Sequence, residues 1–185
     1  MENGNKGVHA CGSILHGCRR QSHRAFLALL LTLTAGLMAG NAVASEMSLL
    51  VNGKAIHVNV PAGKNLNEKN WGLGFQYDGD LINKTWVPFA AVSGFIDSNK
   101  NPSYYAGGGA LRRFQFDGTH VDVGAIGFVM TRKDFRNDRP FLGILPAFSV
   151  GTDRVSVNMT YIPKVHPKAV ALWFFQLKIN LSNFR

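Results

Sequence analysis

The chain has 185 residues, a formal net charge of +9 and two cysteines. This length fits one domain. Both cysteines, Cys11 and Cys18, lie near the N-terminus, so the rest of the chain has no disulfide, thiolate nucleophile or cysteine metal site. The basic balance is compatible with an anionic membrane surface, which does not by itself define a function.

The first 44 residues have the pattern of an export signal. A basic segment, residues 19–24, precedes an uncharged apolar run at residues 26–40, and small residues follow it. These three features are typical of a secretory signal peptide with its cleavage site. The apolar run is shorter than the about 20 residues that a membrane-spanning helix needs. We therefore expect residues 1–44 to be removed on export, which leaves residues 45–185 as the mature domain.

The mature part has the pattern of an all-β chain. No helical period is sustained, and short runs alternate apolar and polar residues between turn signals. The predicted strands are residues 48–60, 71–78, 84–96, 103–116, 119–131, 141–150, 154–162 and 170–179. Asn52-Gly53 is also a hairpin signal, which leaves open whether the first segment is one strand or two.

The connections between these segments alternate in length. Short turns at one end alternate with longer and more basic loops, which are residues 61–70, 97–102, 132–140 and 163–169. An even strand number with this alternation is typical of outer-membrane barrels, and closure leaves no unpaired edge in hydrocarbon. We predict an eight-stranded antiparallel transmembrane β-barrel that acts as a monomer. A soluble periplasmic barrel of the lipocalin kind is the alternative.

The seventh segment predicts which side of the barrel meets lipid. Its apolar residues fall on one face, and they are Val155, Val157, Met159 and Tyr161. A transmembrane barrel turns its apolar face to hydrocarbon. We therefore expect these four side chains to point outward.

Residues suited to acyl transfer fall near the predicted loop end. His57 lies late in the first segment, and Asp97 and Ser98 close the third. A neutral histidine can take the proton of a serine hydroxyl, and a carboxylate can orient the imidazole. A histidine near an Asp-Ser turn is more often structural, so the residues alone leave both readings open. His120 and His166 have no carboxylate or cysteine at ligand spacing, so we predict neither a metal site nor a cofactor.

Three stretches resemble a known family. They are residues 67–75 (NEKNWGLGF), residues 94–98 (GFIDS), and Ser149-Val150-Gly151 continued by residues 158–163 (NMTYIP). At these residues the sequence resembles the lipid A palmitoyltransferases of the PagP type. That family consists of eight-stranded outer-membrane barrels that move a palmitoyl chain from a phospholipid to lipid A. The stretches occur in the family's order and span most of the mature chain.

The resemblance assigns roles to individual residues. His57, Asp97 and Ser98 match the family's catalytic histidine and Asp-Ser pair. Gly109 matches a glycine at the floor of the acyl pocket, where a side chain would shorten the space. A glycine in a strand equally fits close packing or barrel curvature.

Two prolines match a lateral opening in the barrel wall. Pro146 and Pro163 correspond to the family's pair between the sixth and seventh strands, where proline cannot donate a ladder hydrogen bond. A lipid tail could pass there from the bilayer. The family's second proline pair is absent, since Asn52 and Asn70 occupy those places. Its N-terminal amphipathic helix is also missing.

Together these observations predict an exported outer-membrane acyltransferase. Its donor would be a phospholipid, and its acceptor lipid A or a related amphiphile of the lipopolysaccharide class. We expect no nucleic acid partner. The alternatives are a non-catalytic lipid-binding barrel and a periplasmic lipocalin-like carrier.

Overall fold

A computed structural model of the chain describes residues 45–135, 138–164 and 169–182. The predicted signal peptide, residues 1–44, lies outside the described residues and stays a prediction, and so does His166. Among the described residues no helix is long and apolar enough to cross a membrane.

Eight strands make up the regular structure of the described residues. They are β1 (Glu46–Val58), β2 (Lys69–Asp78), β3 (Trp86–Ile96), β4 (Pro102–Phe116), β5 (Thr119–Thr131), β6 (Phe141–Gly151), β7 (Val155–Ile162) and β8 (Ala171–Asn180). The eight predicted segments are confirmed, each with bounds within two residues. The first segment is one strand, and its pairing shifts register between Asn52 and Lys54, as at a β-bulge.

The strands close into an antiparallel barrel in chain order, with β1 paired to both β2 and β8. We call one rim the loop end; its described residues are 59–68, 97–101, 132–135, 138–140, 163–164 and 169–170. The opposite rim is the turn end; it carries residues 79–85, 117–118 and 152–154. The predicted transmembrane barrel is therefore confirmed, including the alternation of its connections.

Large apolar side chains cover the outer surface of the barrel. Leu142 is 85% exposed and Ile144 80% on β6, and Trp71 is 62% and Leu73 61% exposed on β2. The interior instead buries many polar side chains, among them Ser48, Asn52, Asn70, Gln76, Asp78, Ser93, Asp122, Ser149, Ser156, Lys178 and Asn180. A soluble barrel keeps its apolar face inside. This inverted arrangement belongs to a protein whose surroundings are hydrocarbon.

The seventh strand shows the predicted facing. Val155 and Val157 are exposed, while Ser156 between them is 1% exposed and points into the barrel. Met159 and Tyr161 continue the outward face by alternation, and the Tyr161 ring lies 5.1 Å from that of Trp173 on β8. The prediction that this apolar face is turned outward is confirmed.

The barrel interior changes in character along its axis. Near the loop end a small apolar cluster consists of Ala55, Phe95, Ile162, Leu172 and Phe174. Near the turn end the interior is ionic: Lys178 Nζ lies 2.8 Å from Asp78 Oδ2, and Arg113 Nη2 lies 2.9 Å from Asp122 Oδ2. Buried charges of this kind are tolerated when they are paired. The loop half is therefore the part of the interior suited to an apolar ligand.

Candidate active site at the loop end

His57 and Ser98 meet at the loop end of the barrel. His57 is the second-last residue of β1, and Ser98 follows the end of β3. His57 Nε2 lies 2.9 Å from Ser98 Oγ, and the imidazole is 1% exposed. The distance suits proton transfer between the hydroxyl and the ring nitrogen.

Asp97 holds the loop that carries Ser98. Its Oδ1 accepts hydrogen bonds from the backbone N–H groups of Asn99 at 2.8 Å and Asn101 at 2.9 Å. Its Oδ2 accepts one from the Ser103 hydroxyl at 3.2 Å and lies 3.3 Å from Arg132 Nη2. The carboxylate is thus engaged within the β3–β4 loop, with Ser103 on β4 and with Arg132 directly after β5. The sequence suggested that this carboxylate could orient the imidazole of His57. In the structure its hydrogen-bond and ion-pair partners are other groups.

Glu68 is the carboxylate that faces the imidazole. Its Oε1 lies 3.7 Å from His57 Nδ1, on the side of the ring opposite Ser98. Sequence reasoning did not single out this residue as part of a site. A usable signal was its position: Glu68 directly precedes β2, which pairs with the strand that carries His57.

An apolar cavity of about 1000 Å³ reaches the His57–Ser98 pair. This volume is at the upper end of the roughly 300–1,000 Å³ of typical ligand pockets. Its inward-facing apolar lining includes Phe89, Ala91, Phe95, Leu111, Ile126, Phe128, Leu145, Leu172 and Phe174. Lys64 and Arg132 also line it. The cavity therefore combines a long apolar interior with a polar, partly cationic mouth.

The cavity continues sideways through a gap between β6 and β7. Pairing of these strands stops at Ala147 and Thr160, although β6 continues toward the loop end. Pro146 is the next β6 residue beyond that pair, and its carbonyl oxygen accepts a hydrogen bond from the Thr160 hydroxyl at 2.5 Å. The outward side chains Leu142 and Ile144 line the same cavity as the inward ones, so it is open toward the lipid-facing surface.

The two prolines differ in their placement at this gap. The Pro146 carbonyl faces β7, so its ring nitrogen faces β7 as well and offers no donor to extend the ladder. Pro163 follows the end of β7 and lines the cavity. Both therefore lie beside the opening that the resemblance implied.

A layer of hydrogen-bonded polar side chains borders the apolar lining of the cavity. It consists of Asn52, Gln76, Ser93, Tyr105, Asn158 and Gln176. Gln176 Nε2 on β8 donates to Asn52 Oδ1 at 2.5 Å and to Tyr105 Oη at 3.0 Å on β4. An alkyl chain that entered this layer would leave its polar groups without hydrogen-bond partners. Each unsatisfied group would cost about 1–3 kcal/mol. Because Gln76, Tyr105, Asn158 and Gln176 also line the cavity, the layer makes part of the cavity wall polar.

Gly109 is not among the residues that line the cavity. Its β4 position pairs with Phe89 and Ile126, both of which do line it. A Cβ added to Gly109 would overlap the backbone carbonyl oxygen of Ala125 on β5. A side chain at this position would therefore collide with the neighbouring strand unless the two strands moved apart.

No cluster of His, Cys, Asp or Glu side chains with metal-binding geometry occurs in the part of the chain that the structure describes. The polar groups at the cavity mouth are instead arranged for hydrogen bonding and proton transfer. His57, Ser98 and the paired charges Arg132 and Asp97 supply them.

Fold and site together define a membrane β-barrel with an apolar cavity. The cavity opens toward the lipid between two strands and has a histidine–serine pair at its mouth. Residues 50–177 match the family described as "Antimicrobial peptide resistance and lipid A acylation protein PagP". The chain belongs to this family, which confirms the resemblance seen in the sequence.

Individual relatives agree with the family assignment. Over 107 residues the chain is 33% identical to the "Lipid A acyltransferase PagP" of Bordetella pertussis, which covers 54% of this chain and 55% of that protein. Over 109 residues it is 28% identical to the protein of the same description from Methylobacillus flagellatus, with 58% and 59% covered. The matched region thus spans little more than half the length of these relatives.

The Yersinia pestis outer membrane protein Ail, solved in a phospholipid bilayer nanodisc, aligns with a TM-score of 0.41 at 10% identity. The alignment covers 74% of this chain and 99% of that one. A likeness of this size does not bear on function.

Proposed function

We propose that this protein is an outer-membrane acyltransferase that moves a fatty acyl chain from a phospholipid to lipid A or a related amphiphile. The observation that carries the proposal is the 2.9 Å contact between His57 Nε2 and Ser98 Oγ at the mouth of an apolar cavity. Membership of a lipid A acylation family and the names of its relatives support it.

The donor's tail reaches the site sideways. It passes from the bilayer through the β6–β7 gap beside Pro146 and Pro163 and lies along the apolar lining of the cavity. Hydrocarbon is exchanged for an apolar cavity, so little free energy is gained from leaving water. Selection among tails therefore depends on their length and shape, because a rigid cavity has a fixed depth.

The reaction exchanges one ester for another. A hydroxyl oxygen of the acceptor forms a bond with the acyl carbonyl carbon, and the ester bond to the donor's glycerol oxygen breaks. His57 Nε2 takes the hydroxyl proton and returns it to the glycerol oxygen, which leaves a lysophospholipid and an acylated acceptor. The balance is the same if Ser98 Oγ attacks first and the acceptor then displaces it. Asp97 contributes by holding the loop that presents Ser98.

The partners follow from the chemistry of the mouth and the wall. Lys64 and Arg132 suit the phosphate groups of a phospholipid and of lipopolysaccharide. The eight strands close on themselves without a strand from a second chain, so the protein acts as a monomer. Export through removal of residues 1–44 would deliver it to the outer membrane.

Mass spectrometry of lipid A tests the proposal. Lipid A from cells that make the protein should carry an added acyl mass, which disappears with His57→Ala and with Ser98→Ala. Outer-membrane fractionation and heat-modifiable gel mobility serve as the control that both variants assemble. Retention of the added mass in both variants would refute the site. An unchanged lipid A spectrum with a correctly assembled wild-type barrel would refute the activity, and recovery in the soluble periplasm would refute the location.

A further inference from the structure

We propose that Glu68 is the residue that positions His57, by accepting a hydrogen bond from Nδ1–H of the imidazole. The inference rests on the proposed function in so far as the positioned imidazole is the base of the acyl transfer. Glu68 would not touch the substrates. It would act through the histidine as a positioning residue.

The two ring nitrogens of His57 have different surroundings. Nε2 contacts the Ser98 hydroxyl at 2.9 Å, whereas Nδ1 is buried and has no hydrogen-bond partner within the described part of the chain. A neutral imidazole carries a single N–H. If Nε2 is to accept the serine proton, Nδ1 must carry that hydrogen, and a buried N–H without an acceptor costs about 1–3 kcal/mol.

Glu68 offers the acceptor that Nδ1 needs. Its Oε1 is 3.7 Å away, which is too long for a hydrogen bond by a few tenths of an ångström. The Glu68 side chain is 47% exposed and can rotate, while the imidazole, 1% exposed, is held in place. A small rotation about the glutamate torsions closes the distance. The carboxylate would then also stabilise the imidazolium that forms when Nε2 takes a proton.

Two other carboxylates at this rim, those of Asp97 and Asp134, have different partners. The Asp97 carboxylate is engaged by two backbone N–H groups, by Ser103 and by Arg132. Asp134 is paired with Arg132 and accepts a hydrogen bond from Asn99. Lys64, which lines the cavity together with His57, is a hydrogen-bond donor and cannot accept a hydrogen bond.

The backbone couples Glu68 to both members of the pair. The Glu68 carbonyl oxygen accepts a hydrogen bond from the Ala55 N–H at 2.9 Å, two residues before His57. The neighbouring Asn67 N–H donates to the Ser98 carbonyl oxygen at 2.9 Å. One short segment of the β1–β2 loop therefore sets the relative positions of carboxylate, imidazole and hydroxyl.

Nuclear magnetic resonance of the ¹⁵N-histidine-labelled protein in detergent micelles tests the inference. The wild-type His57 ring should carry its hydrogen on Nδ1. In Glu68→Ala the hydrogen should move in part or in full to Nε2, where it can be donated to Ser98. Glu68→Gln keeps an acceptor oxygen and should keep the Nδ1–H form. A wild-type ring protonated on Nε2, or a Glu68→Ala ring still protonated only on Nδ1, would overturn the proposal.

Transfer kinetics with a phospholipid donor and a lipid A acceptor supply the second measurement. Glu68→Ala should lower kcat about 100-fold with KM changed less than about twofold, since general-base assistance is typically worth 10²–10⁴. Glu68→Gln should fall between Glu68→Ala and wild type. Asp138→Asn also removes one negative charge from the loop end, at a residue with φ of 63° that asparagine tolerates, and should keep the wild-type kcat.

The two measurements separate the inference from the function. A Glu68→Ala variant with wild-type kcat overturns the positioning role even if lipid A is acylated. If no form of the protein transfers an acyl chain, the proposed function fails, and the histidine spectra alone then support or overturn the contact between Glu68 and His57.

Discussion

His57 Nε2 and Ser98 Oγ lie 2.9 Å apart although the residues are 41 positions apart in the chain. His57 belongs to β1 and Ser98 follows β3, and these two strands do not pair with each other. β2 lies between those strands. The contact is maintained by the loop segment before β2, which bonds to Ala55 on one side and to Ser98 on the other. The geometry of the pair therefore depends on two loops at the same rim.

Removing the Asp97 carboxylate should loosen the β3–β4 loop. In Asp97→Ala the N–H groups of Asn99 and Asn101 lose their acceptor and Arg132 loses a partner. We expect a loss of about 3 kcal/mol in the free energy of unfolding, together with a loss of activity. Chemical denaturation in micelles measures the first. Asp97→Asn, which keeps one acceptor oxygen, should lose less.

A different outcome would reassign Asp97. If Asp97→Ala abolished acyl transfer while its unfolding free energy stayed within about 0.5 kcal/mol of wild type, the carboxylate would belong to the chemistry and not to the loop.

Gly109→Ala should destabilise the barrel and leave the length of the transferred acyl chain unchanged. The new methyl group would overlap the Ala125 carbonyl oxygen, and overpacking of this kind costs about 1–3 kcal/mol. Denaturation measures the loss, and lipid A mass spectra measure the acyl length. Gly53→Ala is the matched control, because nothing lies within 4 Å of a Cβ at that position. A shorter acyl chain at unchanged stability would instead place Gly109 at the floor of the cavity.

Pro146→Ala should narrow the lateral opening. Alanine restores an N–H that faces β7, which can add a ladder hydrogen bond worth about 0.5–1.5 kcal/mol beyond the pair at Ala147 and Thr160. We expect greater stability and slower acyl transfer, measured by denaturation and by initial rates. Faster or unchanged transfer in the stabilised variant would show that lipid does not pass at this point.

Lys178→Met should unfold at a lower denaturant concentration while retaining activity. The substitution leaves Asp78, 5% exposed, without the cation 2.8 Å away. Removing one partner of a buried ion pair lowers the free energy of unfolding by about 3–5 kcal/mol, whereas removing both charges lowers it less. The double variant Asp78→Asn and Lys178→Met should therefore recover most of the loss. A double variant as unstable as the single one would contradict the pairing argument.

The general fold was predictable because its signals are local. Alternation with period two marks each strand and its lipid-facing side, as in Val155 and Val157, and turn residues such as Asp117-Gly118 mark where strands end. The sequence left open whether the first segment is one strand or a hairpin at Asn52-Gly53. It is one strand, and its register shifts between Asn52 and Lys54.

The sequence by itself determined eight strands and their facing, because the pleat and the turns are properties of neighbouring residues; His57 and Ser98 were singled out by the resemblance to a family. The tertiary structure alone decided which carboxylate faces the imidazole. Glu68 lies there and Asp97 does not, since loop paths and hydrogen bonds between distant segments fix side-chain contacts. It likewise placed the Ala125 carbonyl oxygen where a Cβ of residue 109 would lie, because the space around a glycine depends on the neighbouring strand.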